Sequence, residues 1–386
     1  MVGYPAVASI PVLYVLDSHR AGGAELSWVS LVEHLDKNRV APSFVCPPYE
    51  VFDPIVARAE RAGARCLGRM QIEGTCDLAG KRRFARALEG FSGIVHFNQN
   101  TLDACRHQVR IAARRESLAL VSTVRRLCGK PRGRLSFREM RRRGTFSALD
   151  RIACVSEALR DELARYAPRA RIRVIPNFVS DEMLARAAAL AGTRDEARRR
   201  LGLAPGARVA ACVGIVSENK GQPALVEQLG RALARVPEFV LLLVGADARG
   251  LGSDLIARAE RAGHGRALRW LGWQDDVLSV LAACDALVHA AEIEGLPRAV
   301  QEGMAMGLPA VAYRAGGMED AIRDGETGIL VPAGDAGQLV ERLCDLLLDA
   351  ERARAMGARG RERIFRDFTA AAVIKAYHEL YEEVAR

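Results

Sequence analysis

Two glutamates, Glu294 and Glu302, lie in the segment of this chain richest in groups that can do chemistry, residues 292–309. Pro297 as the first residue of a helix and Gly307 as its stop put Glu294 on the preceding loop and Glu302 one to two turns inside. Helical side chains lean back toward the N-terminus, so both carboxylates can reach one cleft. Carboxylates accept hydrogen bonds from hydroxyl groups, and the unpaired N–H groups at a helix start suit a phosphate. The Glu294 loop is expected to be exposed. Glu292 and Glu294 alternate along an extended segment, so their side chains point opposite ways and make no metal pair. No metal is expected.

Two further segments carry weaker signals of the same kind. Residues 214–221 place Gly214 after an apolar run and Lys220 in the turn that leads to a helix, where an ammonium can act as a point charge on a diphosphate. A solvated surface lysine is the plain alternative. Residues 20–25 bring Gly22 and Gly23 between a strand and its helix, where backbone N–H groups can approach a phosphate closely. Steric need for glycine in a tight turn would explain that pair equally well.

These segments follow short apolar runs, and that placement gives them weight. Runs near 12–16, 43–46, 94–97, 119–123, 152–155 and 172–175 recur in the first half, and near 209–213, 239–244, 268–271, 286–289, 310–312 and 329–331 in the second. Continuous runs of this length suit parallel strands buried on both faces. Between them lie stretches of helical spacing, such as Leu339, Leu343, Leu346 and Leu347. Strand alternating with helix implies an α/β chain of two doubly wound Rossmann-like domains, at 1–176 and 177–364. The last stretch, 365–386, has Tyr377, Leu380 and Tyr381 at helical spacing and could cross back to the first domain. Ligands of such sheets bind outside the carboxyl ends of the strands, where all three segments fall.

Composition bounds the setting. A chain of 386 residues, 49% hydrophobic, can bury two cores. Its nine cysteines form no CxxC pair and are odd in number, the pattern of a reducing compartment rather than a disulfide framework. No apolar stretch is long enough to span a membrane, and the run at 10–16 lacks the flanks of a signal peptide. A cytoplasmic location is expected. Residues 1–180 hold 30 Lys and Arg against 17 Asp and Glu, while the rest hold 26 against 30. The basic half points to an anionic partner: a phosphate-bearing acceptor, a membrane surface or nucleic acid. Within it, residues 125–143 contain nine Lys and Arg against the single acid Glu139, with Leu135, Phe137 and Met140 interleaved and Phe146 just beyond. Such a strip can dock on anionic lipid at the inner face of a membrane.

Taken together, the segments resemble the retaining glycosyltransferases of family four, with the GT-B fold and an E-x7-E signature at Glu294 and Glu302. Gly22-Gly23-Ala24-Glu25 is similar to the family's GGxE turn, and residues 152–157, 174–177, 270–272 and 316–319 resemble further landmarks in order. The resemblance implies two domains facing a cleft and a metal-independent transfer from a nucleotide diphosphate sugar, UDP favoured. The acceptor would be a glycan, a lipid-linked sugar or a small molecule, and no nucleic acid partner is expected. It assigns Glu302 to the donor ribose, and Glu294 with the backbone of Gly295, Leu296, Pro297 and Arg298 to the hexose and diphosphate. Lys220 and Gly214 belong to the donor phosphates, and Gly22 and Gly23 approach them from the other domain. Arg125 and His96 are the acceptor-side candidates. Two departures stand out. Ile215 occupies a position where the family usually has Arg, and Thr123-Val124-Arg125 carries arginine where a T-x-H pattern is frequent. A nucleotide-sugar epimerase, a phosphorylase on the same architecture and a polyanion-binding protein are the competing readings.

Overall fold

Strands buried on both faces organise the protein, as the apolar runs require. In the computed structural model, which describes residues 9–18, 22–72, 74–127, 136–247 and 249–385, residues 12–16 and 239–244 are buried throughout. The chain forms two compact units, Met1–Asn177 with Ala370–Arg386, and Phe178–Thr369.

Among the described residues of the first unit, seven strands make one parallel sheet. They are β1 (Ile10–Leu16), β2 (Val40–Cys46), β3 (Arg65–Arg69), β4 (Gly93–Gln99), β5 (Leu118–Val124), β6 (Arg151–Cys154) and β7 (Ile172–Val174). The order is β3-β2-β1-β4-β5-β6-β7, so the direction of winding reverses between β1 and β4. The sequence pattern misses β3. It is an edge strand with Arg at both ends and only partial burial, and it presents no apolar run.

The second unit repeats the plan with six strands among its described residues: β8 (Arg208–Val213), β9 (Phe239–Val244), β10 (Leu268–Trp270), β11 (Ala286–His289), β12 (Ala310–Tyr313) and β13 (Gly328–Val331). Their order, β10-β9-β8-β11-β12-β13, reverses between β8 and β11. All pairs are parallel.

The C-terminal helix, Ala370–Val384, belongs to the first unit. It begins later than residue 365 because residues 365–367 complete the preceding helix, Ala350–Asp367, which Asp349 caps. Its inner face carries a buried polar chain. The Tyr381 hydroxyl hydrogen-bonds with Tyr14 of β1 at 2.9 Å and with His96 Nδ1 of β4 at 2.7 Å. His96 Nε2 bonds with Thr123 Oγ1 of β5 at 2.7 Å, and Thr123 in turn with the Tyr377 hydroxyl at 3.2 Å. At the helix rim, Arg39 pairs with Glu382, and Arg151 Nε donates to Glu383 at 2.9 Å.

Burial, helped by the Arg125 charge, holds His96 at about 3, well below imidazole's ordinary range. The ring is therefore neutral when folded and takes a proton when unfolded. Above pH 6.5 neither state is charged at this site. As pH falls from about 6.5 toward 3, the unfolded chain gains the proton and stability is lost, by up to about 1.4 kcal/mol per pH unit. Urea unfolding of His96→Gln should show a shallower loss between pH 6.5 and 4 than the wild type. Tyr381→Phe, which strands Tyr14 and His96 in the core, should cost about 1–3 kcal/mol at neutral pH.

Candidate functional site

The reversal point of the second sheet gathers the residues singled out at 214–221 and 292–302. β8 ends at Val213, and the loop that follows is built to hold a lysine in place. Gln222, almost fully buried, spans it by donating to Ile215 O at 3.1 Å and accepting from Ser217 N at 3.3 Å. A short turn, Glu218–Lys220, then ends on Gly221 at φ +76°. A Cβ on Gly221 would lie 2.1 Å from the carbonyl oxygen of Ala290, just past β11. Only glycine permits that approach, and it sets the Lys220 backbone against the end of β11. Gly245, after β9, packs equally tightly on Gly214 O, while the Cα of Gly214 faces open space.

From this turn Lys220 Nζ pairs with Glu294 Oε1. Glu294 is 7% exposed, so the expectation of an exposed loop is corrected. Its carboxylate turns inward because an ammonium delivered from β8 meets it there. Burial alone would push the carboxyl up, but the charge and hydrogen bond of Lys220, with the His289 ring close by, outweigh it and hold it at about 2. His289, the last residue of β11, brings Nε2 to 3.4 Å from Glu294 Oε1 without the alignment of a hydrogen bond. Sequence reading took His289 as part of a strand. Its position as the polar last residue of that apolar run is the signal that could have found it.

Gly295, Leu296 and Pro297 are buried beyond Glu294, with Gly295 O accepting from Gly317 N at 2.6 Å. The helix is Arg298–Ala305, with Pro297 as its N-cap rather than its first residue, because ψ of Pro297 is still extended at 127°. Met306 closes the helix and Gly307 follows at φ +77°. Glu302 is largely buried, and Arg298 Nη2 lies 3.4 Å from its Oε1 one turn back. Thus Lys220, Glu294, Arg298 and Glu302 belong to one unit and flank one helix start. Ile215 is half-buried in the loop after β8.

The first unit holds the remaining candidates. Gly22 is the N-cap of the helix Gly23–His34, and its N–H donates to Glu25 Oε2 at 2.9 Å. That N–H is therefore already used, while the N–H expected at a phosphate is that of Gly23, the first residue of the helix. Glu25 Oε1 also accepts from Ser18 Oγ at 2.7 Å and from Asn100 Nδ2 at 2.8 Å, across the reversal between β1 and β4. Arg20 and Ala21 lie outside the described residues. Arg125 is held at the end of β5 by Asn98 Oδ1 at 2.9 Å and Asn177 Oδ1 at 2.7 Å. His96, by contrast, is 2% exposed with both ring nitrogens engaged, which leaves none for an acceptor. Sequence reading missed a cavity of about 280 Å³ at the same reversal point, lined by Asp17, Gln71, Thr101, Cys105 and His107 among others. Cys105 takes φ +55° there, uncommon for a residue with a side chain, and its N–H donates to Asp17 Oδ2 at 2.9 Å.

Of the basic strip, residues 128–135 lie outside the described residues. Arg125 and Arg126 follow β5, and the part of the strip from Phe137 onward lies in the helix Phe137–Phe146. Arg142 is buried and bonds to Asp103 and Glu139, and Phe146 is core, so neither contributes to a surface. Phe137 and Met140 are 69% and 57% exposed, with the Arg141 guanidinium 4.9 Å from the Phe137 ring. No helix among the described residues is long and apolar enough to cross a membrane.

Two parallel sheets of this winding, each with polar groups at its reversal point, fit the GT-B fold. The chain matches the model of Glycosyltransferase Family 4 over residues 21–183 and that of Glycosyl transferases group 1 over residues 193–363. It belongs to that family. The lipopolysaccharide core biosynthesis glycosyltransferase LpsE of Rhizobium meliloti is 28% identical over 326 residues, 81% of this chain and 92% of the relative. Among solved structures, Anabaena Alr3699/HepE in complex with UDP is similar with a TM-score of 0.77 at 18% identity, over 97% of this chain and 100% of that one. A glycosyltransferase from Rickettsia africae has a TM-score of 0.81 at 17% identity, over 98% and 99%. These two likenesses show the fold.

Gly221→Ala tests how the site is held. The added methyl collides with Ala290 O in a backbone conformation that alanine disfavours. The substitution should cost about 1–3 kcal/mol in urea unfolding.

Proposed function

We propose that this glycosyltransferase moves a hexose or N-acetylhexosamine from a UDP-sugar to a glycan or lipid-linked acceptor, with retention and without a metal. The observation that carries the reading is the meeting of Lys220 and Glu294 at the reversal point of the second sheet, beside the start of the helix Arg298–Ala305. Cleaving the bond between the anomeric carbon and the diphosphate builds negative charge on the leaving oxygen. Lys220 and the N–H groups at that helix start supply positive charge for it. Glu294 has the acceptor oxygens to hold hexose hydroxyls, and Glu302 those to hold the ribose. The acceptor hydroxyl then attacks from the face the diphosphate leaves, and the departing phosphate oxygen takes its proton. UDP is favoured because the similar HepE structure holds it. The name of LpsE supports cell-surface polysaccharide synthesis, which fits a cytoplasmic enzyme working near the membrane.

A panel of UDP-, GDP- and ADP-sugars tests the donor, since a bound ligand raises the unfolding temperature by mass action. Protection by UDP-sugars above the others is expected. Glu294→Gln should abolish transfer with the fold kept. Lys220→Ala should lower kcat/KM roughly 10- to 150-fold, the cost of losing a charge partner for the leaving group. Full turnover by both variants at limiting donor would overturn the assignment. Arg298 is the available replacement for the cation missing at Ile215, so Ile215→Arg should partly rescue Arg298→Ala.

The exposed Phe137 and Met140 beside Arg141 support an anionic lipid surface as the acceptor's setting. Sedimentation with anionic vesicles should fall on Phe137→Ser with Met140→Ser. Equal partitioning of the wild type to neutral and anionic vesicles would remove this part of the reading.

A further inference from the structure

Lys220 has two claims on its charge. In this structure its ammonium meets the Glu294 carboxylate, yet the proposed reaction needs that ammonium on the diphosphate. The Glu294 side chain is 9% exposed, so a departing Lys220 would leave a buried carboxylate without its counter-charge. An uncompensated buried charge is costly enough to keep the lysine where it is, and donor binding would have to overcome that cost.

His289 stands where this cost can be met. Its side chain is 5% exposed, and its backbone is held at the end of β11 in register with Ala312 of β12. Its Nε2 has no hydrogen-bond partner and lies 3.4 Å from the same Oε1 that Lys220 holds. A buried ring nitrogen left unbonded is uncommon in a folded protein and calls for a reason. A small turn of the imidazole, as its Nε2–H tautomer, would align it on that oxygen once the ammonium is gone.

We propose that His289 is a positioning residue which takes over Glu294 Oε1 as Lys220 turns to the donor diphosphate, an inference that rests on the donor site given under Proposed function. Glu294 then keeps its place for the hexose while the lysine is released. His289 touches neither phosphate nor sugar in this scheme. It acts through Glu294, and its effect should therefore vanish when Glu294 carries no charge.

Calorimetric titration with UDP, with GDP and ADP run in parallel, tests this without requiring turnover. His289→Phe keeps an aromatic ring but no donor, and should weaken UDP binding about tenfold or more. His289→Gln, whose amide nitrogen can reach the place of Nε2, should stay within about threefold of wild type. In a Glu294→Gln background, His289→Phe should change UDP binding by less than about twofold, since no charge is uncovered. If His289→Phe does not fold, His289→Asn replaces it, with an amide that stops short of Glu294 and the same expected weakening.

The proposal is overturned by wild-type UDP affinity in His289→Phe, by an equal loss in the Glu294→Gln background, or by a His289→Gln variant as weak as His289→Phe. Failure of the underlying donor reading looks different. Lys220→Ala would then bind UDP as the wild type does, or none of the three nucleotides would bind the wild-type chain. A weakened Lys220→Ala with unchanged His289 variants would overturn the His289 proposal alone.

Discussion

A carboxylate buried at the end of a strand has to be answered by a positive charge, and much of the second unit is arranged to deliver one. Glu294 follows β11, and the lysine that meets it follows β8, 74 residues earlier in the chain. The two come together only because the strand order reverses between β8 and β11, which opens a crevice between loops that turn to opposite faces. Gly221 then brings the lysine turn against Ala290, and Gln222 ties the loop between them. Gly221 acts through a steric requirement and Gln222 through hydrogen bonds. Their joint effect is electrostatic: a carboxyl held near 2 in a place that burial alone would make unfavourable.

The first unit solves a matching problem with different chemistry. Its reversal point also holds a glutamate, Glu25, 2% exposed. There the partners are neutral: the Ser18 hydroxyl, the Gly22 N–H and the Asn100 amide. Together they fix the start of the helix Gly23–His34 as a cap does. Lys220 sits on a flexible four-carbon stem with three donors, and a ligand phosphate can compete for it. The same topology thus carries one carboxylate met by neutral donors and one met by a cation.

How much of this was legible depended on range. Parallel strands announce themselves as apolar runs, and twelve of the thirteen strands among the described residues fall on runs of this kind, two of them interrupted by Arg173 and Arg269. β3 does not, since an edge strand with Arg65 and Arg69 at its ends needs no apolar face. The type and spacing of Glu294, Glu302 and Lys220 could be read directly, because glycines and prolines flank them. The burial of Glu294 could not, for it depends on a lysine brought in from another strand. His289 was hidden by its neighbours, being the polar end of an apolar run. His96 erred in the other direction: its burial and its tyrosine partners come from a helix almost three hundred residues away, 285 to Tyr381. The helix at Arg298–Ala305 was placed to within one residue, the uncertainty that a proline at a helix entrance leaves.

The return of Ala370–Val384 to the first unit has a consequence for synthesis on the ribosome. Translation runs at roughly 5–20 residues per second, so the 192 residues of Phe178–Thr369 occupy about 10–40 s between the last strand of the first sheet and the helix that covers it. Throughout that interval Tyr14, His96 and Thr123 wait without the tyrosines that complete their hydrogen bonds. The unit encoded first is therefore the one finished last. The nascent chain must shelter an incomplete sheet while a whole second unit folds behind it, and a chain that stops before Ala370 has a first unit with its polar core unsealed.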